Sequence, residues 1–403
     1  MNAVAPVEAP SMISAPVAAR LESIDLLRGL VMVLMALDHT RDFFHNGVFL
    51  GIDPLDLNRT TPAIFLTRWI THFCAPVFVF LAGTGAYLST TRGKSKHELS
   101  WFLLTRGIWL VVLEVTWVKC FGWTFAFDYS WVALIVIWAL GCSMIVLAGL
   151  VFLPTWAIAA FGLALIVGHN AFDGVKPEDL GGFGPLWQVL HAGGEFELFR
   201  GFRAIAGYPL VPWIGVMAAG YAMGKLMTQT TQRRRRLAIL GASAVLLFLV
   251  LRLTQVYGEP KQWSEQSSPL WTLFSILDCR KYPPSLCYLL MTLGPALLFL
   301  ALFDSGTPRG LRAAMVFGRV PMFFYLLHLP LIHCLSVLVH FIRFGHADWL
   351  YGRTSGVKPP PEAGFNLAIT YLAWVAVILM LYPVCRWFAA LKARSRAKWL
   401  SYL

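Results

Sequence analysis

One apolar stretch, residues 23–46 (SIDLLRGLVMVLMALDHTRDFFHN), carries an unusual number of ionisable residues. Its length and hydropathy predict a membrane-spanning helix, in which a charged side chain is costly and therefore faces protein or water. Arg28 and His39 are eleven residues apart, which places them on nearly the same helix face, about 16 Å apart along the axis. Asp25 lies one turn before Arg28, and Asp42 lies one turn after His39. The sequence therefore predicts a polar track along this helix.

His39 has the neighbours that a general base needs. Asp38 precedes it directly and Asp42 follows one turn later, and a carboxylate near an imidazole raises its basicity and fixes its tautomer. The alternative is a buried structural histidine that donates to a backbone carbonyl. The two carboxylates and the spacing to Arg28 favour catalysis, with His39 and Asp38 as catalytic residues and Asp42 and Arg28 as substrate-binding residues.

The next apolar stretch begins FLTRWITHFCAPVFVFLAGTG and places Arg68 and His72 on one helix face. His72 lies about two turns inside this helix, near the depth predicted for His39, so two imidazoles could flank one reacting centre. We therefore count His72 as catalytic and Arg68 as substrate-binding. In the alternative, Arg68 pairs with Glu114 or an outer-loop acid, and His72 hydrogen-bonds between helices. Both interpretations remain open.

The remaining candidates lie in later parts of the chain. One is on the ninth span beside Pro330, where a proline can free backbone carbonyls that line a cavity, and the others lie in or beside loops that could grip a polar acceptor. The predicted substrate-binding residues in this group are His45, Tyr208, Trp213, Lys281, Tyr282 and His328. Glu114 is interpreted mainly as half of a structural ion pair, near Lys119 in sequence, and His333 as structural.

Composition places these residues in an integral membrane protein. Of 403 residues, 58% are hydrophobic and 13% charged, with a mean hydropathy of +0.65, whereas soluble domains carry about 25% charged residues. The net charge of +12 falls largely in short loops, where it sets topology, so nucleic-acid binding is not expected. We predict an all-α bundle of ten spans, at residues 24–44, 64–90, 99–121, 131–152, 154–170, 206–228, 235–255, 284–304, 314–341 and 366–390.

Clusters of Lys and Arg predict the orientation of these spans. Residues 92–96, 225–236, 309–312 and 392–398 all fall on one side if the N-terminus is cytoplasmic and there are ten spans. Both termini are then cytoplasmic, and the His39 end of the first helix faces outward. The outer loops are residues 45–63, 122–130, 171–205, 256–283 and 342–365. Residues 1–20 are predicted to be a disordered cytoplasmic lead, and residues 21–395 to form one transmembrane domain.

Two segments carry a family resemblance. Ser23–His45 and Thr71–Thr84, THFCAPVFVFLAGT, resemble the bacterial relatives of heparan-alpha-glucosaminide N-acetyltransferase. The likeness extends from about residue 20 to about residue 390 and includes YPLVPWIGVMAAGYAMG, RKYPPSLCYLLMTLGPAL and FGRVPMFFYLLHLPLIH. Arg28 and His39, with ten residues between them, are also similar to the Arg-x10-His motif of the transmembrane acyltransferases that O-acetylate envelope polysaccharides.

The resemblance implies an acyltransferase of the bacterial inner membrane. Acetyl-CoA would be used from the cytoplasmic side, and its acetyl group would reach an amine or hydroxyl of an envelope glycan. Arg28 and His39 take the motif's roles, whereas the animal enzyme is expected to place its histidine nearer His45 or in the following loop, and an Asp at His72. Membrane lipids, the acyl-CoA donor and the glycan acceptor are the implied partners, a homodimer is a family-level expectation, and no metal is expected.

The residue pattern itself fits transacylation, because attack on a thioester needs a base and a stabilised oxyanion. His39 would be the base or a transient acetyl carrier, Arg28 would orient the donor, and His72, Arg68 or His328 would contact the oxyanion. The alternative is a transporter or flippase of a polar or anionic envelope precursor, which also places ionisable groups on membrane helices. Transporters often have internal repeats, and no period of 20 to 50 residues is found here. This favours the acyltransferase.

Overall fold

The computed structural model describes residues 21–199, 201–352, 356–395 and 397–402 and is mainly helical. The predicted disordered lead, residues 1–20, lies outside the described residues. The α-helices are α1 (Glu22–Phe44), α2 (Asn46–Phe49), α3 (Pro62–Ile70), α4 (Cys74–Thr90), α5 (Lys96–Leu113), α6 (Val136–Leu150), α7 (Thr155–Gly168), α8 (Gly184–Trp187), α9 (Leu210–Met227), α10 (Arg233–Thr254), α11 (Pro269–Leu277), α12 (Leu286–Leu302), α13 (Ala314–Arg319), α14 (Pro321–Phe344) and α15 (Leu367–Arg394).

Within the described residues, seven helical segments are long and apolar enough to cross a membrane. They correspond to seven of the ten predicted spans, and the fold is that of a multi-pass helical membrane protein. The other three predicted spans are α1, which carries several charged residues, and α6 and α12, which are only 15 and 17 residues long. The count of ten and the side of each terminus stay predictions.

Helix starts follow local capping chemistry. Ser95 and Glu98 form a reciprocal capping box at the start of α5, which satisfies two backbone donors that a helix start leaves free. The Ser285 hydroxyl accepts from the Tyr288 amide at the start of α12, at 3.0 Å. Asn366 accepts from the Ile369 amide at the start of α15, at 3.1 Å. The sequence therefore marks where these helices begin.

Two predicted spans are not single continuous helices. Residues 131–152 begin as a strand, β1 (Trp131–Leu134), because these residues pair in parallel with β3 (Phe202–Ala206). β3 also pairs antiparallel with β2 (Gly194–Phe199), which gives a three-stranded sheet in the order β1-β3-β2. The predicted span 314–341 is two helices, since Val320 precedes Pro321, and a residue before proline disfavours the helical conformation.

A pair of glycines brings α1 against α13. A Cβ atom added at Gly29 would lie 1.9 Å from the carbonyl oxygen of Ala314, and one added at Gly318 would lie 1.9 Å from that of Asp25. Small residues of this kind let helix backbones approach closely inside a membrane. Arg28 is adjacent to this contact and donates to the Gly318 carbonyl at 3.3 Å. The close packing therefore fixes the position of one end of the polar track.

Candidate active site

A network of alternating charges lies at the His39 end of α1. Arg68, on α3, donates to both carboxylate oxygens of Asp38 at 2.7 Å. Arg41 lies 3.3 Å from Asp38 and 2.6 Å from Asp42. Arg68 therefore pairs with Asp38 and not with Glu114, whose carboxylate instead accepts from the backbone amides at the start of α6. The ion pair predicted for Glu114 is wrong, because helix-terminal amides provide the donors that its buried carboxylate needs.

His39 lies beside this network and remains partly accessible. Its side chain is 14% exposed, and Nδ1 lies 3.6 Å from Asp42. The Trp123 indole packs edge-on against the imidazole, with the ring centroids 5.2 Å apart. Trp123 belongs to a π-helical segment, Glu114–Thr124, that continues α5, and such wide turns are frequent at functional sites. Trp123 and the π-helical turn were not predicted.

The imidazole that packs on His39 is that of His328. The two ring centroids are 5.3 Å apart. Nδ1 of His328 faces the Tyr325 carbonyl at 2.7 Å, so in the neutral ring Nδ1 carries the proton. Nε2 is buried and has no hydrogen-bond partner among the described residues. It is therefore a free acceptor next to His39.

Pro330 lies inside α14 and removes one backbone hydrogen bond of the helix. It cannot donate to the carbonyl of Leu326, four residues earlier, and that oxygen accepts instead from the Trp117 indole at 2.9 Å. The freed group is thus satisfied by a neighbouring side chain. His333, three residues later, contacts the carbonyls of Gly122 and Leu350 through its two ring nitrogens at 2.9 and 2.8 Å.

His72 is buried on the other side of Asp38. It lies in a 3₁₀ turn, Thr71–Phe73, between α3 and α4, and is only 1% exposed. Neither ring nitrogen has a hydrogen-bond partner in the described part of the chain. The Tyr288 ring packs edge-on at 5.4 Å, and its hydroxyl donates to the His72 carbonyl at 2.8 Å. His72 is therefore a buried ring packed on Tyr288 and is not the histidine that contacts His39.

The segment 278–285 adds Lys281 and Tyr282 to this end. The Lys281 side chain is mostly buried, and its positive charge acts on both Asp38 and His72. The rings of Tyr208 and Tyr282 are 5.2 Å apart, and Tyr208 is also 5.2 Å from the Trp213 ring. Trp213 itself is fully buried. Tyr282 is accessible, so it lies at the mouth of the site.

Two charged residues that sequence reasoning missed, one buried and one half-buried, hold this segment in place. Arg252, at the end of α10, donates to the carbonyls of Ser275, Ile276 and Asp278 at 2.8, 2.8 and 3.1 Å. Glu259 accepts from the Arg280 amide at 3.1 Å and from the Ser285 hydroxyl at 2.6 Å. Burial raises the pKa of Glu259 despite these bonds. Together they fix the loop that carries Lys281.

His45 has a structural position. Its Nδ1 accepts from the Gly47 amide at 3.1 Å, and its backbone bridges to Phe365. Burial, with the positive charge of Arg41, lowers the pKa of His45, which keeps the ring neutral and able to accept. The predicted substrate-binding residue therefore caps the short helix α2.

The Arg28 end of α1 opens into a different environment, which we call the basic cavity. Its volume is about 830 Å³, and Arg28 lies in its wall 3.7 Å from Asp25. Six further basic residues from four other segments share this wall, and Asp25 is the only carboxylate among the described residues that line it. The seven basic residues are Arg28, Arg92, Lys94, Arg106, Arg319, Arg386 and Lys392. Only Arg28 was predicted.

The wall of the basic cavity also has apolar residues. They include Phe78, Leu140 and Met322. Phe78 is six residues from His72, and Met322 is six residues from His328, so along their helical segments these apolar residues lie about 9 Å from the two histidines. His39 is not among the lining residues. A chain-like molecule bound by its charged end would point toward the His39 end.

The geometry of the two ends is compatible with an acyltransferase or a transporter, and comparison with known families favours the acyltransferase. Residues 20–254, more than half of the chain, match the family model described as heparan-alpha-glucosaminide N-acetyltransferase, catalytic. The chain belongs to this family. It is therefore an acetyltransferase-like membrane enzyme, as its sequence resemblance predicted. No curated protein matches the sequence.

The family match covers α1 to α10 and therefore both ends of the polar track. Arg28, Asp38, His39 and His72 lie within it, whereas Lys281 and His328 lie outside it. Yet His328 packs on His39, and Lys281 adds charge beside Asp38. The part of the chain beyond the match thus completes the His39 end.

Proposed function

We propose that this protein is an acyltransferase of the bacterial inner membrane that moves an acetyl group from acetyl-CoA to an envelope glycan. The donor binds in the basic cavity from the cytoplasmic side, and an amine or hydroxyl of the acceptor enters at the His39 end. The observation that carries the proposal is that one helix, α1, has a basic cavity at Arg28 and an accessible imidazole at His39.

Donor binding is supported by charge and shape. Coenzyme A carries several phosphate groups at one end of a flexible arm and the thioester at the other. Phosphates suit clustered Arg and Lys side chains, which the entrance of the basic cavity provides. The arm would follow the apolar wall past Phe78 and Met322. Side chains between this wall and His39 must move to let the thioester pass.

In the transfer step, the acceptor attacks the thioester carbonyl while His39 takes its proton. The tetrahedral intermediate then collapses, its carbon–sulfur bond breaks, and the leaving CoA thiolate receives the proton that His39 had taken, which restores the neutral imidazole. Asp42, 3.6 Å from Nδ1 of His39, stabilises the imidazolium that forms. Positive charge for the oxyanion would come from Arg68 or Lys281, which flank Asp38. His328 contributes no proton from Nε2, since its Nδ1–H faces a carbonyl. An acetyl-histidine intermediate is compatible with the same arrangement.

Purified full-length protein with labelled acetyl-CoA and an envelope glycan extract tests the proposal. We expect label on the glycan with wild-type protein and none with His39→Gln, which keeps a polar side chain of similar size. His97→Gln is the matched control, because His97 is an exposed histidine at the other end of the bundle. If a glycan precursor crossed the vesicle membrane and no label were transferred, the protein would be a transporter and not an acyltransferase.

A further inference from the structure

Three metal-ligating side chains meet at the His39 end, away from α1. His169 begins the 3₁₀ turn after α7, Asp173 follows that turn, and His191 lies in a π-helical segment, Gln188–Ala192. One ligand atom from each lies within 4.8 Å of the other two. Nε2 of His191 is 3.2 Å from Asp173, and the two imidazole centroids are 5.6 Å apart. Two separate parts of the chain therefore bring one N/N/O set together.

His169 has no partner that would explain its burial. It is 3% exposed, and neither ring nitrogen makes a hydrogen bond to any described residue. Buried polar side chains almost always have a partner. The His191–Asp173 pair alone would be an ordinary structural contact, but it leaves His169 unexplained. The ring is placed where a ligand shared by all three side chains would satisfy it.

We propose that His169, Asp173 and His191 bind a divalent transition-metal ion, most suitably Zn²⁺. Zinc is typically bound by imidazole nitrogen and carboxylate oxygen at about 2.0–2.2 Å, which places neighbouring ligands of a tetrahedron roughly 3.3–3.5 Å apart. The His191–Asp173 distance of 3.2 Å is close to this value, and the His169 ligand atom lies within 4.8 Å of the other two. Water would take the fourth position. The sequence predicted no metal, and these three residues form no short motif.

The residues around the three ligands have the positions that metal sites require. Asn170 donates to the second oxygen of Asp173 at 2.8 Å, which orients the carboxylate. The same amide accepts from the Leu286 amide at 2.9 Å, and Leu286 is the first residue of α12. The Trp187 ring packs on His191 at 4.9 Å. The ion would therefore hold the end of α7 and the segment around His191 together, beside the loop that carries Lys281. Its role is structural.

Metal content of the full-length protein, purified without a polyhistidine tag, tests the proposal. We expect about one zinc per chain, and less than a tenth of that in His169→Ala and Asp173→Ala. His346→Ala is the matched control, because His346 also lies 3.4 Å from an aspartate, Asp348, but both are more than half exposed. Equal zinc content in wild type and His169→Ala would overturn the proposal, as would its loss in His346→Ala.

A second measurement uses the wild-type protein alone, so it does not depend on the folding of any variant. Chelation of the wild-type protein should lower its Tm, and added Zn²⁺ should restore it, since a ligand that binds only the folded state stabilises it. Absence of both zinc and any Tm response in the wild-type protein would overturn the proposal. Neither result depends on the acyl donor or acceptor, so the metal site and the proposed transfer can fail separately.

Discussion

The two ends of α1 differ in how their charged residues are paired. At the His39 end, Asp38 and Asp42 are paired with Arg41 and Arg68 at distances of 2.6–3.3 Å. At the Arg28 end, seven basic residues share one cavity wall with a single carboxylate. One end is a nearly neutral, bonded network, and the other is a strongly positive, open surface.

In the proposed function, this difference assigns donor binding to the Arg28 end and acetyl transfer to the His39 end. A cavity lined by one sign of charge raises the local concentration of a ligand of the opposite sign. A bonded network attracts a distant ion weakly, yet it holds Asp38, Asp42 and their arginine partners in fixed positions beside His39. We therefore expect changes at the Arg28 end to alter donor affinity and changes at the His39 end to alter the transfer rate.

The largest effect is expected from loss of the imidazole. His39→Gln should lower kcat about 10²–10⁴-fold, the usual contribution of a general base, and should leave donor affinity at the basic cavity within twofold. Single-turnover acetyl transfer and equilibrium binding of labelled acetyl-CoA would be measured on the same preparation. If the variant loses binding and turnover together, the two ends are not separate and the comparison fails.

Removal of Asp38 should break the network itself. Asp38→Asn leaves Arg68 and Arg41 without their shared carboxylate, and loss of one partner of a largely buried ion pair costs about 3–5 kcal/mol. We expect a lower Tm and a fall in kcat of about 10–100-fold, because His39 and Lys281 lose their fixed surroundings.

Glu195→Gln provides the control for this change. It removes an exposed pair with Arg203, which should cost less than about 1 kcal/mol. Equal Tm shifts in the two variants would show that the Asp38 network is as weak as a surface pair.

Sequence reasoning found the two ends of α1 but only part of what surrounds them. Arg28, Asp38 and His39 are visible because charge inside an apolar stretch is exceptional. Arg106 and Arg386 join Arg28 only through helix packing, and basic residues near span ends are ordinarily topology signals. Trp123 and β1 were missed because apolar and aromatic runs suit a strand, a π-helix or a span equally well. What depended on contacts between distant segments could not be predicted.

At the Arg28 end, neutralising two wall residues should affect affinity alone. Arg319→Gln combined with Arg386→Gln should raise KM for acetyl-CoA about tenfold, since each lost phosphate contact costs part of one charge-assisted hydrogen bond, and should leave kcat within twofold. Arg234→Gln with Arg235→Gln is the matched control, because both lie at the start of α10 outside the cavity wall. A fall in kcat without a change in KM would place the donor elsewhere.

The smallest expected effect distinguishes the two ends without any substitution. The Debye length shortens from about 10 Å at 0.1 M salt to about 3 Å at 1 M, so attraction of an anion into the basic cavity should weaken several-fold over this range. The short, largely buried bonds of the Asp38 network are screened much less. Raising ionic strength should therefore increase KM for the donor several-fold and change kcat little. Steady-state kinetics at constant pH would measure both constants. If kcat and KM were equally sensitive to salt, the Asp38 network would be screened by solvent as strongly as the basic cavity, despite its 2.7 Å bonds.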